Sequence, residues 1–451
     1  MRSISQVLLF TMLAGGTAMA DMRIELTDGR ILTVPYGADE IRRIVVDGRT
    51  VRLIDAAAAV AASEAAPSLQ GQLPPRPAPL AVGNSLDEAG RRILRVGPER
   101  ELRLPSDASA IAVDGDIIEI DAGRYVGDVT GWKQNDLVIR AVGGPVHIDA
   151  AGRGHAGKGL WVISGHNVTI EGIEMSNCAV DDNNCAAIRA EGGDLTLRDM
   201  HLHHNQMGLL SAMDFEGRLL IDRSEINDNG VDYEALGIQP GHNIYMGAGG
   251  SLVVQGSWIH NPVSGHNIKS RSAETLILYN RIEDGDGGHG SYQIDISDGG
   301  RTVIQGNLIR QGPLAENYSI IAYGSETRSR ANSSLELIHN TVVNELGNGI
   351  FLRNDTPVVA SLVNNAFLGE GELAVGATRE AGNVRTGEPM EPADIQRRGF
   401  GMDKGVQPGS VEDFTELPAW EYAHPVRLEK RPLLGAAPDA GAFEMTGPDS
   451  R

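Results

Sequence analysis

Cysteine and aromatic residues are scarce in this chain of 451 residues, which holds 2 Cys and only 4% Phe, Trp and Tyr. So few rings argue against a large-cored helical bundle and suit a fold of tight turns and small-residue stacks. Two cysteines exclude a disulfide-dense scaffold, and neither their spacing nor that of the histidines makes a zinc signature. No metal ligand set is therefore assigned. Positive charge is short as well. With 39 Lys and Arg against 60 Asp and Glu the net charge is −21, so nucleic acid and anionic membrane surfaces are poor partners. An anionic ligand needs a local basic patch that overrides this field. Beyond the N-terminus no apolar run is long enough to span a bilayer, and no membrane insertion is expected.

Glycine is abundant, at 56 residues, and 41% apolar beside 22% charged residues excludes global disorder. Residues 1–20 read as a signal peptide: Arg2, an apolar core from Val7 to Ala14, and Ala18-Met19-Ala20 before Asp21. The expectation is an exported protein, periplasmic or extracellular. Cys178 and Cys185 then sit in an oxidising compartment, close enough in sequence to shut one small loop. A disulfide is expected there, with two buried thiols as the alternative.

Residues 21–55 alternate apolar and polar around Thr27-Asp28-Gly29-Arg30 and Asp47-Gly48-Arg49, the pattern of a small β unit of hairpins. Residues 56–84, rich in Ala and Pro, read as a semi-rigid linker. From 85 onward short strand-like runs recur, among them Val168-Thr169-Ile170, Leu195-Thr196-Leu197, Leu252-Val253-Val254 and Leu276-Ile277-Leu278. No long amphipathic helix interrupts them. A repeat of this length with several strands per period predicts an all-β solenoid over 85–380. Asn177, Asn205, Asn229 and Asn261 fit amide ladders along the stack. An antiparallel sandwich is the rival and expects closer, hairpin-like turns. Residues 381–451, partly rich in Pro and Glu, are expected to wrap back as a cap on an exposed edge. A capped solenoid is compatible with a monomer.

Three segments carry a resemblance. Gly115-Asp116-Ile117-Ile118-Glu119-Ile120-Asp121-Ala122-Gly123-Arg124-Tyr125 resembles the entry turn of exported bacterial right-handed parallel β-helix proteins. Ala187 to Asp199 resembles one of their middle turns, and Asp439-Ala440-Gly441-Ala442-Phe443-Glu444 their closing segment. The resemblance implies a right-handed parallel β-helix and a carbohydrate-active protein: a polysaccharide lyase, glycoside hydrolase or uronate epimerase.

The phrase Gly-His-Asn-Ile occurs at 241–244 and again at 265–268. One solenoid turn separates the two, which should stack Tyr245 on Lys269. Placing Ile188, Ile244, Ile268, Ile294, Ile320 and Ile350 inward puts Arg189, Asn243, Tyr245, Asn267, Lys269, Arg271, Gln293, Asp295, Tyr323, Phe351 and Arg353 on one outer face. Turns about 4.8 Å apart let vertical neighbours act on one sugar unit. An outer strand face must carry polar residues of some kind, so the bland reading is a solvated surface. The chemical reading is β-elimination on a uronate polymer. Arg271 neutralises the sugar carboxylate, Lys269 removes the proton with Tyr245 or His266 as competitors, and Tyr245 or His242 protonates the leaving oxygen. Arg189, Asn243, Asn267, Tyr292, Gln293, Asp295, Tyr323 and Arg353 are the expected substrate contacts. Asn267-Ile268-Lys269-Ser270 is also similar to the Lys-Ser motif of β-helix alginate lyases, although Gln293-Ile294-Asp295 replaces the basic residue of the next turn.

Hydrolysis by paired carboxylates is the rival chemistry, through Asp295 and Asp298 or Asp284 and Asp286, yet Asp284-Gly285-Asp286-Gly287 and Asp298-Gly299-Gly300 read first as turns. A non-catalytic polysaccharide-binding or envelope-structural β-helix is the rival from another class. His201, His203 and His204 cluster without a third ligand at a telling distance, which favours a stacked polar edge. Calcium suits acidic turns in an exported protein, but no loop has calcium-binding grammar, so the cofactor stays open.

Overall fold

The computed structural model describes residues 85–446, apart from 237–239, 286, 328–329 and 413, together with five short strands before residue 52. Most of the expected signal peptide, including Ala18-Met19-Ala20, lies outside the described residues, as do the linker 56–84 and Asp286. Met1–Ala78 forms a unit of its own. Within it Met22–Glu25 pairs antiparallel with Ile31–Val34, and with Leu9–Phe10 on its other side. Ile44–Val46 pairs with Arg49–Val51, as the Asp-Gly hairpin signal between them requires.

In the second unit the repeating turns contribute three short strands, and the strands of these turns pair in parallel with their counterparts one turn on. The first ladder includes Val168–Glu171, Leu195–Arg198, Arg218–Asp222, Ser251–Gln255, Glu274–Leu278 and Arg301–Gln305. The second includes Ile173–Ser176, His201–His203, Glu225–Asn227, Trp258–His260 and Arg281–Glu283. The third is a sheet of ten strands running from Thr130–Trp132 through Ile244–Met246, Ile268–Ser270 and Ile294–Ile296 to Glu372–Val375. This is a right-handed parallel β-helix, and the parallel ladders exclude the antiparallel sandwich. The parallel ladders continue as far as Val384–Thr386, and beyond them Trp420–Ala423 pairs antiparallel with Arg427–Lys430.

The interior is a column of aliphatic side chains from all three ladders, Leu197, Ile221, Val254, Ile277 and Ile304 among them, each with no solvent exposure. One turn cannot cover its own apolar face; its neighbours do, at about 1.5–3 kcal/mol for each fully buried Ile or Leu. Amide ladders run along two corners. Asn205, Asn229, Asn243 and Asn267 each pass one side-chain N–H to the next side-chain oxygen, at 2.7–3.0 Å, and the series ends on Gln293 Oε1 as acceptor. Asn280, Asn307, Asn340, Asn365 and Asn383 form the second, at 3.0–3.1 Å. Asn177 and Asn261 stand outside both. They adopt left-handed conformations, φ 62° and 47°, where Asn is among the few residues tolerated.

Cys178 and Cys185 are bonded, with Cα atoms 5.5 Å apart, and close the loop around Asp181 and Asp182. After the last ladder strands the chain runs back along the outside. Phe414 packs on Ile338 and Val363, and His424 meets the Trp258 ring edge-on at 4.6 Å. Among the described residues no helix is long and apolar enough to cross a membrane.

Candidate functional site

The third sheet fixes the phase of the outer column. Ile188, Leu209, Ile244, Ile268, Ile294, Ile321 and Leu352 are aligned and point inward without exposure. Their successors Arg189, Leu210, Tyr245, Lys269, Asp295, Ala322 and Arg353 therefore form one outward column. Tyr245 and Lys269 are register partners, as are Lys269 and Asp295.

Two groups of expected contacts are corrected by this register. Tyr323 aligns with Ile296, not with the outer column. It is fully buried, and its hydroxyl donates to the Gly300 carbonyl at 2.6 Å. Phe351 is buried against Phe367. In both strands consecutive apolar residues, Ile320-Ile321 and Ile350-Phe351-Leu352, leave the alternation without a phase, and pairing rather than pattern decides it. Asn243, Asn267 and Gln293 are also fully buried, in the amide ladder described above. They precede the strand at a corner, where alternation does not hold. Arg353 is paired with Asp355 at 2.8 Å, and Arg189 lies 3.5 Å from Glu191. Leu210 and Ala322 separate these two arginines from the centre of the column.

The centre is a dense polar cluster. Arg271 Nε donates to the Tyr245 hydroxyl at 2.9 Å, and its NH1 to Asp298 at 2.9 Å. Its NH2 binds one oxygen of Glu326, whose other oxygen receives Lys269 Nζ at 2.7 Å. Lys269 Nζ also stands 3.5 Å from Asp295 and 5.5 Å from the centre of the Tyr245 ring. Asp295 is 1% exposed, and its oxygens accept from Ser297 and Ser325 at 2.6 Å each. Burial acts to raise the Glu326 carboxyl, but hydrogen bonds from Arg271 and Lys269 outweigh it and hold that carboxyl below its usual value. Burial opposes the charge on Arg271, and its bonds to Glu326 and Tyr245 more than compensate, leaving it raised.

His242 and His266 stack beneath this cluster with ring centres 4.8 Å apart. Nδ1 of His242 accepts the His266 backbone N–H at 3.0 Å, and Nδ1 of His266 accepts that of Tyr292 at 3.2 Å. Each ring thus carries its hydrogen on Nε2, and that of His266 faces Asp295 at 3.6 Å. Burial, then the nearby Lys269 charge, pushes His266 down to about 3; burial and the two neighbours likewise hold His242 well below its ordinary value. Tyr292 is half-buried with its ring 5.0 Å from His266.

Glu326, Ser297, Ser325 and Arg330 complete the site, and sequence reasoning did not assign them to it; Asp298, weighed there only with Asp295 for the rival hydrolysis, joins it through Arg271. The Ser297 carbonyl accepts the backbone N–H groups of Glu326 and Thr327 at 3.0 Å, which anchors Glu326. Arg330 adds bonds to the carbonyls of Arg271 and Ala248. Glu326 lies 57 residues from Lys269 in an irregular loop, so no local pattern points to it.

No family model matches the chain, and no curated protein matches it. Among solved structures it is similar to a pectate lyase, Pel9A, at a TM-score of 0.50 and 14% identity, covering 79% of this chain and 98% of that one. The likeness is one of fold. A rhamnogalacturonan lyase follows at 0.49 and 13% identity, covering 66% and 89% of the two chains. An alginate lyase of family PL6, AlyGC, follows at 0.38 and 10% identity, covering 75% and 55%. These three neighbours are polysaccharide lyases by description.

Proposed function

We propose that this chain is an exported polysaccharide lyase that cleaves a uronate-containing glycan by β-elimination at Tyr245, Lys269 and Arg271. One observation carries the reading: a carboxylate, that of Glu326, is held across Lys269 and Arg271 directly beside a tyrosine hydroxyl. An arrangement that grips its own carboxylate can grip a sugar carboxylate in the same way. The substrate group replaces Glu326, and neutralising it makes the hydrogen on the adjacent carbon removable.

Lys269 is engaged as an ion-pair donor to Glu326 and stands beside Asp295, so it serves carboxylate binding. His242 and His266 are buried with Nδ1 occupied by backbone N–H groups, which removes them from the surface. Tyr245 is the group left to move the proton. The Arg271 N–H aimed at its oxygen stabilises that oxygen when it bears negative charge. As Tyr245 takes the proton, the C–H electron pair forms the C4–C5 double bond of the sugar and the C4–O bond breaks. The same hydroxyl, or water, then protonates the leaving oxygen. Export rests on the N-terminal pattern together with the Cys178–Cys185 bond.

The test is a panel of anionic polymers incubated with purified protein and followed by the ultraviolet absorbance of an unsaturated uronate. New reducing ends without that absorbance would assign hydrolysis, with Asp295→Asn as the decisive variant. Binding with no product would leave a non-catalytic polysaccharide-binding β-helix.

A further inference from the structure

The outer face of the second ladder is rich in histidine. His147, Glu174 and His201 are register partners on successive turns, and Ser176 aligns with His203 in the same way. The pairing therefore brings to the His201–His203 strand two residues from earlier turns that sequence spacing does not connect to it. His203 Nε2 lies 3.0 Å from Glu174 Oε1, and His147 Nδ1 lies 3.5 Å from the same oxygen. One ligand atom from each of the three falls within 4.8 Å of the others.

We propose that His147, Glu174 and His203 bind a first-row transition-metal ion of the zinc class, which ties three successive turns of the helix together. Metal–ligand distances of about 2.0–2.1 Å at a tetrahedral centre place ligand atoms roughly 3.3 Å apart, and the two observed separations bracket that value. Two imidazoles and one carboxylate form a donor set for zinc or its neighbours, whereas calcium and magnesium take oxygen alone. Each ring is also oriented from behind. Ser176 Oγ lies 2.8 Å from His147 Nε2, and His204 Nδ1 lies 2.7 Å from His203 Nδ1, so the nitrogen turned away from Glu174 is held in both cases. His201 is not a ligand, because its Nε2 meets Asn227 of the next turn at 3.0 Å. The ligand side chains are 16–36% exposed, which leaves a path for the ion and room for water at the fourth position. The Tyr245 cluster lies on a different sheet, so this site stands or falls independently of the lyase reading.

The experiment uses the full chain stripped with a chelator, titrated with zinc chloride by calorimetry and with cobalt chloride by visible absorption. One equivalent of zinc and the intense absorption of tetrahedral cobalt are expected. Glu174→Gln and His203→Ala should each weaken zinc binding by about tenfold or more, with Ser176→Ala weaker by a smaller factor and His201→Ala unchanged. The thermal midpoint of the stripped protein should rise on adding zinc, and that rise should vanish in Glu174→Gln. Failure to bind zinc, equal binding in Glu174→Gln and His203→Ala, or a preference for calcium at these residues would overturn the assignment.

Discussion

At the scale of single residues, Glu326 is the group whose behaviour separates the proposed chemistry from a merely structural cluster. It bridges Lys269 and Arg271 where a uronate carboxylate is proposed to sit. Glu326→Gln keeps the hydrogen-bonding shape and removes the competing charge, so KM for a uronate polymer should fall several-fold while kcat is kept. A raised KM in steady-state assays would instead make Glu326 part of the substrate site. The repeated Gly-His-Asn-Ile made the stacking of Tyr245 on Lys269 legible in the sequence, because a kept inward residue fixes what stands next to it. Glu326 was illegible: its position comes from backbone bonds to the Ser297 carbonyl, which no periodicity encodes. Strand alternation places Asn243 and Asn267 on the surface only if it is carried past the strand into a corner, where the amides satisfy each other inside.

At the scale of the element, the amide ladders hold the corners. Asn307 donates to the Ile277 carbonyl at 2.8 Å and to Asn340 at 3.0 Å, and it accepts from the Asn280 backbone and side chain at 2.8 and 3.0 Å. Asn307→Ala leaves these buried groups unmet at about 1–3 kcal/mol for each orphan. Urea denaturation should show a clear drop in midpoint with no change in activity per folded molecule. A loss below about 0.5 kcal/mol, the usual range of a surface change, would mean that the ladder is decoration. The strand runs themselves were legible from their apolar recurrence. Their phase was not, wherever two apolar residues follow each other as at Ile320-Ile321.

At the scale of the whole molecule, the buried histidines set how the fold responds to acid. His266 and His339 are both pushed down to about 3, chiefly by burial and then by Lys269 and Arg431 respectively. Their folded values lie below the unfolded one of about 6.5, so the unfolded chain binds the protons. The stability they contribute is complete above pH 6.5 and is lost as pH falls toward 3. Asp284 and Glu421, raised by burial to about 6 and about 7, act in the opposite sense, losing stability as pH rises through that range. Thermal midpoints measured from pH 7 to pH 4 should therefore fall less steeply in His266→Gln than in the parent chain. Equal slopes would show that His266 is not the neutral, buried ring described here.

The solenoid was legible as a whole because its repeat is long and its turns are rich in Asn and Gly. The proposed chemistry depends on a few outward residues that the fold leaves free to vary. The most direct test of the account is the rise in absorbance of an unsaturated uronate, measured on anionic polymers with the parent chain, Lys269→Ala and Tyr245→Phe. The account predicts a rise with at least one uronate polymer, a loss of about a hundredfold or more in Tyr245→Phe, as for a group that moves the proton, and unchanged circular dichroism in both variants. Absorbance that persists undiminished in Tyr245→Phe would contradict it.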